Sequence, residues 1–364
     1  MERRVYNFGA GPATLPLPVL KEAQRELLNF RASGMSVLEL SHRSSWFSEI
    51  IETAQANLRT LLNVPEHYHI LFLQGGASLQ FSMLALNLLH SSSPPADYVV
   101  TGTWGNKALA EAQRQGQVNV AWDGKAEGYT RVPEQQELSL NADATYVHFT
   151  SNETIQGVQF QHAPLVGGVP LVCDLSSDFL SRPLEVERYA LLYGGAQKNV
   201  GGAGVTIVIV RDDVLATMPE DTPSMLNYRL LAEKNSLYNT PPTFAIYVVM
   251  LVTGWLLEEV GGLERMDELN RQKAQVLYEA IDHSQGFYRG HAQGDSRSSM
   301  NVTWRLRDTA LEAAFVQQAQ ARDLVQLKGH RSVGGIRASI YNAMPSEGVQ
   351  ALRDFMDEFA KQNG

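Results

Sequence analysis

A lysine in a glycine-rich turn and an aspartate 24 residues before it are the first residues in this chain with chemistry to offer. Lys198 lies in the stretch Gly194 to Gly202, between the apolar run Ala190–Tyr193 and the β-branched run Val205–Val210. The flanking runs read as buried strands, and the glycines let the connecting backbone turn tightly and approach a ligand. An amine in such surroundings loses hydration of its charged form, so its pKa should fall, and a neutral lysine can form a Schiff base with an aldehyde. On that stretch alone a surface-loop lysine is the commoner reading. Asp174 closes the apolar run Val169–Cys173, where an unpaired carboxylate would be costly.

Other residues fall at matching places. Gln74-Gly75-Gly76-Ala77-Ser78 separates a strand (His69–Leu73) from an amphipathic helix (Leu79–Leu89). The free N–H groups and positive dipole of that Gly75–Ser78 helix start can cradle a phosphate, although many such turns are glycine-rich for packing alone. Trp104 follows the strand Asp97–Thr101 and precedes a helix read over Asn106–Gln115; it could stack on a flat ring or sit in the core. Thr154 follows the strand Thr145–Thr150. Two His-Arg pairs, His42 with Arg43 and His330 with Arg331, suit carboxylate or phosphate, as does Arg337 two residues after Gly334-Gly335. Each of these taken singly also reads as a surface pair.

The elements that must position these residues alternate strand and helix from 47 to 210, which predicts a mostly parallel, doubly wound sheet. In such sheets ligands bind beyond the carboxyl ends of the strands, where Gly76, Trp104, Thr154 and Asp174 all fall. Residues 1–17 read as a packed, irregular arm, 18–260 as a large α/β domain and 261–364 as a small C-terminal α/β domain, with Gly261-Gly262 as the hinge. Within the large domain, Leu237–Pro242 is an extended segment leading to a helix over Thr243–Val260.

Pyridoxal 5′-phosphate gives every candidate a task. The helix start at Gly76 would hold its phosphate, Trp104 would cover a ring face, and Asp174 would keep the ring nitrogen protonated. Unit charges ~4 Å apart interact by about 4 kcal/mol at an effective dielectric of about 20, roughly three pKa units. Lys198 would carry the cofactor and shuttle a proton, and the arginines would fix substrate anions.

Composition is consistent with a large, acidic, globular chain. Of 364 residues 44% are hydrophobic and 19% charged, with 30 Lys+Arg against 39 Asp+Glu. No basic run could follow a phosphate backbone, so nucleic acid is excluded as a partner. One cysteine, Cys173, rules out an intrachain disulfide framework and fits a reducing compartment. The opening residues lack the apolar stretch of a secretory leader, and the run Phe244–Leu257 is shorter than the roughly 20 residues a bilayer needs, so a cytoplasmic location without membrane contact is expected. No metal site is expected.

The chain resembles the phosphoserine aminotransferases, a class V, fold-type I family of pyridoxal-phosphate enzymes. The resemblance rests on Tyr6 to Ala13, Ser41-His42-Arg43, Ser151 to Gly157, Gly195 to Asn199, Tyr238 to Phe244, and Lys328 through Pro345. It implies that Lys198 carries the cofactor and that Gly76, Ala77 and Gln197 bind its phosphate. It further implies that Trp104 stacks on the ring, Thr154 bonds the ring hydroxyl and Asp174 pairs with the ring nitrogen. Asn239 and Thr240 would reach the cofactor phosphate of a partner subunit, hence a homodimer with shared sites. Arg337 would take the substrate α-carboxylate, and His42, Arg43, His330 and Arg331 the distal phosphate or carboxylate.

The reaction implied is exchange between 3-phosphohydroxypyruvate with L-glutamate and O-phospho-L-serine with 2-oxoglutarate, in serine biosynthesis, with a related four-carbon substrate of pyridoxal-phosphate synthesis as a second possibility. Two departures stand out. Members with Gly-Gly-Gly-Arg offer a cation where this chain has Gly75 to Ser78, and members with Ser or Asn offer a side chain where it has Gly9. Rival readings are a cysteine desulfurase, disfavoured by a strand-buried Cys173, a small-amino-acid–glyoxylate aminotransferase, which needs fewer cations, and a non-catalytic sensor, which would need a DNA-binding domain.

Overall fold

A computed structural model describes residues 4–90 and 92–364. In chain order the elements are β1 (Tyr6–Asn7), α1 (Leu17–Glu26), α2 (Ser45–Leu62), β2 (Tyr68–Leu73), α3 (Gly76–Leu88), β3 (Ala96–Val100), α4 (Thr103–Ala112), β4 (Val118–Asp123) and β5 (Val147–Thr150). The short strands β6 (Asn152–Glu153) and β7 (Val158–Gln159) follow, then β8 (Leu171–Asp174), β9 (Leu191–Gly195), β10 (Thr206–Arg211), α5 (Asp212–Thr217), α6 (Tyr228–Glu233) and α7 (Thr243–Trp255). The chain ends with α8 (Leu263–Asp282), β11 (Tyr288–Gly290), β12 (Asn301–Leu306), α9 (Glu312–Ala321), β13 (Leu324–Val325), β14 (Ile336–Ser339) and α10 (Ser346–Asn363).

Among the described residues the largest sheet has seven strands in the order β2-β10-β9-β8-β5-β3-β4. β10 runs antiparallel to β2 and β9, and the other pairings are parallel. The carboxyl ends of β2, β3, β5, β8 and β9 therefore share one edge. The Lys198 turn crosses that edge, and the chain returns through the sheet as β10.

Successive strand residues point to opposite faces, so both faces need cover. Phe72, Phe149, Cys173, Leu192 and Ile209 face a core shared with α1, α2 and α7. Leu73, Tyr98, Val172, Tyr193 and Val210 face one shared with α3 and α4. α7 and its π-helical continuation Leu256–Val260 are long and apolar enough to cross a bilayer. In this fold Ile246, Tyr247, Val249 and Val252 are instead buried in the first core, and the Tyr247 hydroxyl donates to Glu26 at 2.6 Å.

A third core joins Leu277, Trp304, Phe315, Ala338 and Phe355 behind the small sheet β11-β12-β14. The N-terminal arm, described from Arg4 onward, supplies Phe8 to that core, and β1 pairs with β13. The arm then reaches the Lys198 turn: Ala13 N–H donates to the Gln197 carbonyl at 2.9 Å.

Two helices start earlier than their sequence suggests. α3 begins at Gly76 rather than Leu79, because Gly75 takes φ +83° and turns the chain directly into the helix. α4 begins at Thr103 rather than Asn106, because a distant carboxylate, described below, accepts from its first N–H groups. The Val118–Asp123 strand has a half-exposed, mixed pattern that periodicity does not single out.

Ile209 lies fully buried in β10, between β2 and β9. Ile209→Ala should cost about 2–5 kcal/mol of unfolding free energy in urea melts. Leu28→Ala, at a side chain 84% exposed, should stay within about 0.5 kcal/mol. Equal losses would contradict the placement of β10.

Candidate active site

The Lys198 amine sits at the carboxyl edge of the large sheet and lies 2.7 Å from the Thr154 hydroxyl. Burial pushes its pKa down to about 8, the Asp174 carboxylate pulls it back up, and Arg337 adds to the depression. Its Nζ stands 5.7 Å from the centre of the Trp104 ring, which also carries the Lys107 ammonium at 4.3 Å.

Asp174, the last residue of β8, is buried and accepts from Ser176 N–H at 2.8 Å. Burial raises its pKa, opposed by the Ser176 bonds and by Lys198. Such a carboxylate gains most from a cationic partner.

The Gly76 end of α3 is open. Gly75 and Gly76 both have positive φ, and a side chain at Gly75 would strike Leu79, 2.6 Å away. The first N–H groups of α3 thus point outward with no side-chain cap, an arrangement that accepts a phosphate. Gln197 folds over Gly195, whose Cβ position is 2.5 Å from its amide oxygen.

Glu153 has no counterpart in the sequence reading. It is fully buried and accepts from Trp104 N–H at 3.0 Å and Gly105 N–H at 2.8 Å, so it caps α4 from across the edge. Burial raises its pKa to about 7 against the pull of those two bonds. Gln156 adds a bond to the Thr103 hydroxyl at 2.9 Å. One signal could have revealed it: α4 is preceded by Gly102, which has no capping side chain, so its first N–H groups need a remote acceptor.

Arg337 and His330 line a cavity of about 270 Å³ with Gln156, His291, Thr303 and Arg305. Burial lowers the Arg337 pKa, with Tyr341 opposing. His330 is shifted down by burial and by Arg337, Arg331 and Lys107, so this pole of the site is strongly cationic. The Arg305 guanidinium donates to the Val333 carbonyl at 3.0 Å and pairs with Glu312, bracing the loop that carries His330 and Arg331. The backbone at Gly9 is hemmed in: a Cβ there would lie 2.3 Å from the Gln326 amide oxygen.

Other expected residues stand apart. His42 and Arg43 lie in the turn before α2 and do not line that cavity. His42 Nε2 is buried without a hydrogen-bond partner. Asn239 and Thr240 lie before α7, where among the described residues the Asn239 amide reaches only its neighbour's carbonyl, at 3.3 Å. Cys173 is fully buried and its thiol is pushed well above the ordinary range by burial, which does not suit a nucleophile.

An amine of lowered pKa, a buried carboxylate, an indole face, an uncapped helix start and a guanidinium thus converge at one edge. Trp104 Nε1 is also buried without a partner. This donor set fits a phosphorylated aromatic aldehyde with a basic ring nitrogen.

The comparisons agree. The class-V aminotransferase family model matches residues 5–352, and the chain belongs to that family of fold-type I, pyridoxal-phosphate-dependent enzymes. Within it, the chain is 54% identical to a phosphoserine aminotransferase of Laribacter hongkongensis, over 99% of both chains. The phosphoserine aminotransferase of Bacillus circulans subsp. alkalophilus superposes with a TM-score of 0.97 at 50% identity, covering 99% of each chain. That of Trichomonas vaginalis, solved with pyridoxal phosphate bound, gives 0.91 at 43%, covering 97% of this chain and all of that one.

The lowered Lys198 pKa gives a direct test. In cofactor-free protein the neutral amine predominates above pH about 8. Labelling of Lys198 by trinitrobenzenesulfonate, followed by peptide mass spectrometry, should rise with pH to a midpoint near that value. A midpoint near the ordinary lysine value of about 10.4 would refute the apolar environment.

Proposed function

We propose that the chain interconverts 3-phosphohydroxypyruvate plus L-glutamate with O-phospho-L-serine plus 2-oxoglutarate, the amino-transfer step of serine synthesis, in two alternating half-reactions. The observation that carries this reading is the cationic pole of Arg337, His330 and Arg331 beside a lysine that can lose its proton. Both amino donors have an α-carboxylate and a second anionic group, phosphate in one and carboxylate in the other. Guanidinium forks accept either.

Bound here, pyridoxal phosphate supplies an electron sink for negative charge at the substrate α-carbon. Asp174 holds the proton on the ring nitrogen, and Thr154 bonds the ring hydroxyl. Trp104 covers one face of the ring, with its backbone held by Glu153. Gly76, Ala77 and Gln197 bind the phosphate. Lys198 would anchor the cofactor, and its amine would move a proton to and from the substrate α-carbon. Arg337 fixes the α-carboxylate, while His330 and Arg331 receive the distal anion.

His42, Arg43, Asn239 and Thr240 find no task within one subunit. A homodimer with shared sites gives them one, Asn239 and Thr240 on the partner's cofactor phosphate and His42 with Arg43 on the distal anion. We place the enzyme in the cytoplasm, with 18–260 as its cofactor-carrying domain and 261–364 as the small one.

Arg331→Ala should reduce kcat/KM for O-phosphoserine by about 10²-fold or more, the value of a lost charge-assisted contact of ~3 kcal/mol. Turnover of L-alanine should change little. A uniform loss would assign Arg331 a structural part.

Subunit sharing makes a second prediction. Lys198→Ala should be inactive and Asn239→Ala should bind cofactor weakly. Mixing the two under conditions of subunit exchange should restore activity, since one site of each hybrid has both residues intact. No gain, with exchange verified by mass spectrometry, would overturn the shared site.

A further inference from the structure

Lys273 lies on α8, in the small domain, and is 3% exposed. Its ammonium faces four backbone carbonyls: Tyr341 at 2.8 Å, Ile340 at 3.0 Å, Met344 at 3.2 Å and Asn342 at 3.3 Å. Among the described residues no carboxylate pairs with it. Four convergent carbonyl dipoles take the place of a counter-ion, and in turn they depend on the cation, because without it they would face one another out of water.

The turn they belong to is bonded to the neighbour of Lys198, to the N-terminal arm and to the loop after β8. It begins immediately after β14, the strand of Arg337. Asn342 N–H donates to the side chain of Asn199, the neighbour of Lys198, at 3.0 Å. The Asn342 amide donates to the Leu180 carbonyl at 2.8 Å. The Tyr341 hydroxyl donates to the Ala10 carbonyl at 2.9 Å. Asn270, one helical turn before Lys273, holds the Asn342 amide oxygen at 2.9 Å and the Ser181 carbonyl at 3.0 Å. Small domain, arm and large domain meet at this turn, and α8 grips it from below.

We propose that Lys273 is a positioning residue for substrate recognition: its caged ammonium fixes the turn that sets Arg337 against Lys198. Ile340 is three residues beyond Arg337, about 10 Å along an extended strand. A loosened cage therefore displaces the guanidinium, while the cofactor-holding residues of the large sheet keep their places. The inference rests on Arg337 as the α-carboxylate anchor proposed above.

The fold also supplies a means of testing it. Lys273 lines a cavity of about 440 Å³, together with Trp255, Met266, Leu269 and Met344. Truncation to alanine joins the cage to that cavity, leaving a space that a small alkylammonium can enter.

The experiment uses holoenzyme of Lys273→Ala, Lys273→Met and Arg337→Ala. Lys273→Ala and Lys273→Met should raise KM for both L-glutamate and O-phosphoserine by about tenfold or more, with kcat reduced less and pyridoxal-phosphate content near wild type. Calorimetric affinity for glutarate should be weakened in step. Ethylammonium should lower the KM of Lys273→Ala in a saturable way, and ethanol should not. Unchanged KM in Lys273→Met, or equal effects of ethanol and ethylammonium, would overturn the proposal. If Lys273→Ala does not fold, Lys273→Met decides by the same KM and glutarate measurements. Unchanged KM in Arg337→Ala would instead count against the carboxylate anchor, and so against the reading this inference builds on.

Discussion

The Lys198 amine lies 2.7 Å from the Thr154 hydroxyl, out of bulk water and within the field of three buried carboxylates, Asp174, Glu153 and Asp178. An amine in that position answers to opposing demands. Desolvation favours its neutral form, the form that attacks an aldehyde, and nearby anions favour the charged form, which can return a proton. Its pKa of about 8 is the balance of these effects. Moving the turn outward would remove the desolvation, and removing the carboxylates would leave desolvation and Arg337 unopposed. Depth and company have to be set together, and most of the architecture around the carboxyl edge of the sheet does so.

The carboxylates are subject to the same balance. Asp174 and Glu153 both have raised pKa values from burial, and each is restrained by backbone N–H donors. For Glu153 those donors are the first N–H groups of α4, so its charge is offset by a helix dipole as well as by hydrogen bonds. The same two bonds fix the backbone of Trp104. Charge near the amine and the position of the aromatic face are thus coupled through one side chain. Removing it would disturb both the electrostatics and the shape of the site.

Much of this was legible in the sequence because a parallel sheet gathers strand ends. Once β2, β3, β5, β8 and β9 are recognised as strands, Gly76, Trp104, Thr154, Asp174 and Lys198 must share an edge, whatever their separation in the chain. Glu153 was not legible as a cap because its task belongs to a helix 50 residues earlier that lacks an acceptor of its own. Lys273 left a faint trace: with Asn270 it falls on the stripe of α8 that also carries Met266, Ala274 and Leu277. Polar residues on an apolar stripe indicate a buried bond, but periodicity cannot say to what. His42, Arg43, Asn239 and Thr240 do not line the cavity of Arg337, and their expected tasks followed from the resemblance rather than from any periodicity of the chain.

The join between the large sheet and the third core follows from a limit of apolar packing. Hydrophobic contact is non-directional, so the third core can hold its own helices and sheet together without fixing them to a fraction of an ångström against the large sheet. A guanidinium that has to stand at a set distance from a reactive amine needs that accuracy. At the junction the chain therefore uses directional bonds: Asn199 to Asn342, Asn342 to Asn270, Tyr341 to the arm, and Lys273 to four carbonyls. Buried polar groups on this scale are costly unless every member is satisfied. The cores on either side hold such groups too, His148 with Tyr193 and Tyr228 with Gln80 among them, but at this turn they link segments from three separate parts of the chain.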